Sequence, residues 1–374
     1  MSVVARKIVN PEPMPPKSRK PHLPTPKEIW KQARHDWFGK DVQETPTVSY
    51  VWTADQFGHV GLGFQITFLF AGLALLSNLS TPWTLTIAAA VNFAIWVTKE
   101  IYDYIRERKK ATAAESVFPF NGKEILWNVF TALFYILVGA IVAGAIPFGV
   151  WSPLVTLVIL LLPAALLGLW WLRRKIVFQQ AGLPYLYRLA NFPVPIPEST
   201  VDFIKAMCDP KKPGPRHLVV GGKPNTGKSC LATGIGTEFA FRCGIGRYTT
   251  LAKLLELMDT GKEFKDGRTL WPWDQSDLLI VDDVDKVFRG TPLVADVKTI
   301  EPFLQYLRSK LPRDLKDRRT IWVVEDSDNV NFWQETVAKA LQLDRPALEL
   351  RGLWLQTTVA SALATKAEAR KAQK

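Results

Sequence analysis

Residues 222–229 read Gly-Lys-Pro-Asn-Thr-Gly-Lys-Ser, two glycines enclosing four residues, with a lysine and a serine directly after. Glycines in this pattern let backbone N–H groups turn inward onto phosphate oxygens, and a following helix adds the positive end of its dipole. Lys228 then reaches the β- and γ-phosphates, and the Ser229 hydroxyl sits on Mg²⁺. The candidate nucleotide cradle is therefore Gly222, Lys223, Pro224, Asn225, Thr226, Gly227, Lys228, Ser229 and Cys230, with ATP and Mg²⁺ as its ligands. Hydrolysis also needs carboxylates. The apolar run Leu278–Val281 ends in Asp282-Asp283, which offers Asp282 for the metal and Asp283 to polarise the attacking water. A plain glycine turn and a plain acidic turn are the bland readings of these two segments. The strand–loop–helix setting of the first, and the distance at which the second follows, favour the nucleotide site.

Those residues need a scaffold that delivers them to one place. From about Ser199 short apolar runs alternate with amphipathic stretches, the pattern of a parallel sheet with helices on both faces. His217–Val220 reads as the strand entering the loop, and a helix follows to about Arg242. Five strands are expected, with Leu278–Val281 lying close to His217–Val220 because both serve one phosphate site.

With these motifs in place, the chain resembles the AAA+ ATPases, and within them the DnaC/IstB-type branch of helicase loaders and transposition helpers. The likeness rests on Gly222–Ser229 with Leu231-Ala-Thr-Gly-Ile-Gly, on Arg247-Tyr-Thr-Thr-Leu-Ala-Lys-Leu-Leu, and on Asp277-Leu-Leu-Ile-Val-Asp-Asp. It covers roughly residues 216–355, and the two Walker motifs are its specific part. It implies a P-loop ATPase that assembles as a homo-oligomer and uses ATP to remodel or load a partner, usually around DNA. Asp344-Arg345 and the Leu348–Trp354 run are similar to the family's late Asp-Arg element and last strand, which makes Arg345 a candidate arginine finger. A surface salt-bridge arginine is the competing reading. Asp283 stands where most members carry Glu. The strand Thr320–Val324 ends in Glu325-Asp326-Ser327, where the family has a neutral sensor residue.

The first half of the chain is of another kind. Charged residues are absent from 56–98 and 125–172, and this unevenness excludes a single soluble globule. Four apolar stretches, about 58–78, 82–102, 125–147 and 150–172, each approach the ~20 residues that cross a bilayer core. Trp83, Trp127, Trp151, Trp170 and Trp171 mark their ends, as in an interfacial aromatic belt. No span contains a central Asp, Glu, Lys or Arg, as an ion pathway usually would, so the region reads as an anchor and assembly platform in the lipid bilayer. Gly139-x-x-x-Ala143 and Ala140-x-x-x-Gly144 are candidate helix-packing stripes. Asp55 and His59 are spaced as a helical pair, too few for a metal.

Net charge is +12, with 47 Lys and Arg against 35 Asp and Glu. Nine of the basic residues precede residue 51 and six lie in 99–124, whereas the short connections 77–81 and 147–151 carry none. The positive-inside bias then puts both termini and the ATPase half in the cytoplasm. Orientation accounts for much of the charge, so nucleic acid stays an open partner beside an unidentified protein. Three cysteines without a Cys-x-x-Cys pair indicate a reduced compartment. The expected organisation is a disordered, Pro-rich basic tail (1–57), four transmembrane helices (58–172), a juxtamembrane connector (173–198), the ATPase domain (199–358) and a basic C-terminal tail (359–374). The connector's aromatics fit either the bilayer surface or the soluble domain.

Overall fold

The computed structural model describes residues 24–38, 46–79, 81–113, 118, 122–212, 216–260, 270–288, 313–325 and 330–372. Its first part is helical: α1 (Pro26–Phe38), α2 (Val48–Leu76), α3 (Thr84–Ala113), α4 (Gly122–Gly144) and α5 (Ser152–Gln180). Of these, α2 to α5 are long and apolar enough to cross a membrane. Large apolar side chains such as Ile159 and Leu162 face outward, 66% and 68% exposed. An apolar surface of that kind suits hydrocarbon better than water.

Close backbone approach organises the bundle. A Cβ at Gly63 would overlap the Ile136 carbonyl oxygen, and one at Gly139 would overlap that of Val60, so α2 and α4 meet through two glycines. Gly139 is one of the small residues expected to pack. Asn92 of α3 donates from Nδ2 to the Gly63 carbonyl (2.9 Å) and to Thr67 Oγ1 (3.1 Å). Such interhelical hydrogen bonds hold helices together where hydrophobic burial cannot.

Two expected boundaries are corrected. Residues 26–38 of the expected disordered tail form α1, and α2 starts at Val48, ten residues before the expected span, with Thr47 Oγ1 accepting from the Tyr50 N–H (3.3 Å). The reason is the helical spacing of Ile29 and Ala33, which bury against Leu172 and Ile176 of α5. Most of the proline run lies outside the described residues. The second correction concerns Arg173–Gln180, expected as connector, which continues α5 into the following domain. After it, Leu189, Phe192, Val194 and Ile196 are buried in the core of that domain. Of the two readings of the connector, packing on the soluble half is the one observed.

The second part contains α6 (Glu198–Met207), β1 (Arg216–Gly222), α7 (Lys228–Phe241), β2 (Gly246–Thr250), α8 (Leu251–Thr260), β3 (Leu278–Asp282), β4 (Arg319–Val323), α9 (Val330–Leu341), β5 (Leu350–Leu355) and α10 (Val359–Ala372). The five strands form a parallel sheet in the order β2-β3-β4-β1-β5. Alternation along β1 builds a core on each face. Leu218 and Val220 pack with Leu231 and Ile235 of α7, while Val219 packs with Trp322 and with Trp333 and Val337 of α9. The β3 strand is not the immediate neighbour of β1, because β4 lies between them.

Candidate nucleotide site

All strands being parallel, their carboxyl ends share one edge of the sheet, where ligands of open α/β sheets bind. A cavity of about 280 Å³ opens there, lined by Pro224, Asn225, Gly227, Lys228, Ser229 and Cys230 from the loop, Asp282, Asp283, Asp285 and Lys286 after β3, and Val323, Val324 and Glu325 after β4. The loop has the backbone its residues anticipate. Gly222 and Gly227 have φ of +143° and +87°, values costly for a side chain with a Cβ. Gly227 caps α7, so Lys228 and Ser229 open a fourteen-residue helix. Lys223 and Thr226 support the loop without lining the cavity: the Lys223 carbonyl accepts from Thr226 Oγ1 (2.9 Å) and from Lys228 Nζ (2.7 Å).

Lys228 lines the cavity from the first turn of α7. Burial lowers its pKa, and the charges of Glu325, Asp285 and Asp282 oppose that shift. Asp282 is fixed on both oxygens: Oδ1 accepts from the Asp283 N–H (2.8 Å) and Oδ2 accepts from the Tyr248 hydroxyl. Tyr248 has its pKa pushed up, by burial first and then by that hydrogen bond, so it remains a donor. Asp283 has a left-handed backbone (φ 54°) and its Oδ1 lies 2.5 Å from Lys286 Nζ. Two lysines thus face four carboxylates across the cavity. A bare polyphosphate meets net repulsion there, and a divalent cation offsets it. The donors fit Mg²⁺, which takes one or two carboxylates plus phosphate oxygens and water. Among the described residues no group of three or more His, Cys, Asp or Glu could hold a metal, so a cation here would need further oxygens from a ligand or from water.

Arg345 is not brought to this cavity. It is exposed and precedes β5, whose Leu350 pairs with His217 at the start of β1. It therefore lies at the amino-terminal edge of the sheet, away from its own chain's loop. Asp326 and Ser327 lie outside the described residues. The expected basic tail is corrected at its start: α10 packs on the loop, with the Val359 N–H donating to the Asn225 carbonyl (3.0 Å) and Ala362 buried in the core. Sequence reasoning missed Tyr248, Asp285 and Lys286. Asp285 and Lys286 follow the acidic pair by two and three residues, a weak signal; Tyr248 carries none, because only strand pairing brings β2 to β3.

The sheet domain is clamped to the helical half. Arg188 donates from its Nη2 to Glu124 at the start of α4 (2.7 Å) and from Nε to Glu238 of α7 (2.8 Å). Phe178 of α5 packs on Phe241 of α7 (ring centroids 5.4 Å apart), and the Tyr248 N–H donates to the Ala181 carbonyl (2.8 Å). No protein-family model matches the chain, and no curated protein matches it either.

Proposed function

We propose that the protein is a membrane-anchored P-loop ATPase that uses Mg-ATP binding and hydrolysis to assemble on, or remodel, a partner at the cytoplasmic membrane face. The observation that carries this reading is the joint wall of one cavity: Lys228 and Ser229 at a helix N-terminus, facing Asp282 at the end of a parallel strand. Lys228 binds the β- and γ-phosphates, the loop N–H groups cradle them, and Ser229 and Asp282 hold the cation. When bound, Mg²⁺ neutralises charge developing on the phosphates. A carboxylate of the cavity then takes the proton of the attacking water.

Membrane placement is supported by the four apolar helices, and orientation by the basic loops. The start of α4, the helix α1 and the nucleotide half all meet at one end of the bundle, as a common cytoplasmic side requires. The α7 helix, which begins at the phosphates, touches α5 and is tied to α4 through Arg188. A shift of α7 on nucleotide turnover therefore reaches the bundle through packed contacts. Assembly as a homo-oligomer, with Arg345 serving a neighbouring copy, is part of the proposal.

A second reading, a nucleotide-switched binding protein with little turnover, is favoured by the ion pair that occupies Asp283. Steady-state phosphate release from detergent-purified protein separates the two. Mg-ATP-dependent release lost in Lys228→Ala supports the ATPase; tight binding without release supports the switch.

A further inference from the structure

Resting on the ATPase reading, the inference names the group that activates water within it. We propose that Glu325 at the end of β4 is the catalytic base, and that Asp283 is held away from that role by Lys286. Neighbouring strands lie about 4.8 Å apart, so in the observed order the β4 backbone is one spacing from β1 and the β3 backbone two. The register pairs Val220 with Val323, and the Val324 N–H still donates to the Val220 carbonyl (3.0 Å). Carried two residues on, it sets Glu325 beside Gly222, where the phosphate loop begins.

Glu325 lines the same cavity as Lys228 and Ser229. Its backbone is pinned, with the Glu325 N–H donating to Asp285 Oδ1 (2.7 Å). Asp283 stands one strand further out, on a turn that points its carboxylate at a cation, 2.5 Å from Lys286 Nζ. A base within reach of the γ-phosphate belongs beside the lysine that binds it.

In the step itself, the water oxygen bonds to Pγ while the bond from Pγ to the β–γ bridging oxygen breaks. The electron pair of that bond leaves with ADP. Glu325 takes one proton from the water and returns it to the released phosphate, so no other reactant is needed.

The test uses the full-length protein in detergent, N-methylanthraniloyl-ATP as the binding probe, and single-turnover hydrolysis of Mg-ATP. Glu325→Gln is expected to bind the probe within about threefold of wild type but hydrolyse at least ~100-fold more slowly, the worth of a positioned base. Asp283→Asn is expected to lose less than about tenfold. Formate added to Glu325→Ala should restore turnover at least about tenfold, a response that loss of a structural contact does not give. Wild-type turnover in Glu325→Gln, or no formate rescue, overturns the assignment while leaving the ATPase reading intact. Should Glu325→Gln fail to bind, Glu325→Asp decides: bound nucleotide hydrolysed at the wild-type rate counts against the base. Wild-type protein that binds the probe without hydrolysing Mg-ATP overturns both the base and the hydrolase reading. Absence of probe binding by wild type overturns the nucleotide site itself.

Discussion

Replacing Arg188 by methionine keeps much of the side chain's apolar bulk and removes the cation shared by Glu124 and Glu238. The three side chains are 20%, 8% and 11% exposed, so the change takes place away from bulk water. Removing one member of a fully buried ion pair costs about 3–5 kcal/mol. The partial exposure of Arg188 argues for the lower end, about 3 kcal/mol. For a domain of about 200 residues each kcal/mol moves the melting temperature by roughly 2–4 °C, giving a fall of about 6–12 °C. Tryptophan-fluorescence melting of detergent-purified protein measures it. Neutralising the acids as well, by Glu124→Gln and Glu238→Gln in the Arg188→Met background, should recover at least half of the loss, since the penalty comes from carboxylates stripped of their counter-charge. A melting temperature within about 2 °C of wild type would show that the ion triad is screened and adds little, as exposed pairs do.

His217 is buried against Thr320 (Nδ1 to Oγ1, 2.8 Å) and its pKa is lowered from 6.5 to about 4, by burial. The unfolded chain therefore takes up a proton first, and stability falls as pH drops from about 6.5 to about 4, by up to roughly 3 kcal/mol for this one group. Urea titrations at pH 7 and pH 4.5 check this, and His217→Asn should flatten that part of the profile. Gly63→Leu should disrupt the α2–α4 contact, seen as loss of monodisperse protein in mild detergent, whereas Gly58→Leu, with open space around it, should not. Leu79→Cys, in a connection between spans, should react with a membrane-impermeant maleimide on intact cells, and Ser199→Cys should not; the reverse pattern contradicts the positive-inside reading. Salt-sensitive binding of DNA by the purified protein would favour a nucleic-acid translocase or loader over remodelling of a protein partner.

The turn between β1 and α7 was legible because its glycines mark where the backbone must be left-handed: Gly227 has a φ of +87° and caps the helix that Lys228 opens. The four long helices were legible because a span of apolar residues needs no partner to be recognised. The helix Pro26–Phe38 was hidden by prolines and lysines around it, although Ile29 and Ala33 carry its buried face. Strand order was not legible, because pairing is non-local: nothing in Thr320–Val324 announces that it separates β1 from β3. That placement makes Glu325 a wall of the site, and the start of β5 carries Arg345 to the opposite edge. The clamp at Arg188 joins residues 64 and 50 positions apart in sequence, beyond any local pattern.

The central claim is that Lys228, Ser229 and Asp282 form a Mg-ATP site, and its most direct measurement is the affinity of full-length wild-type protein and Lys228→Ala for N-methylanthraniloyl-ATP, with and without Mg²⁺. Wild-type protein should bind the probe strongly only with Mg²⁺, because four carboxylates face two lysines in the cavity. Lys228→Ala should weaken that binding by at least about tenfold, the worth of one charge-assisted contact. Equal binding by both proteins, or binding indifferent to Mg²⁺, would contradict the account.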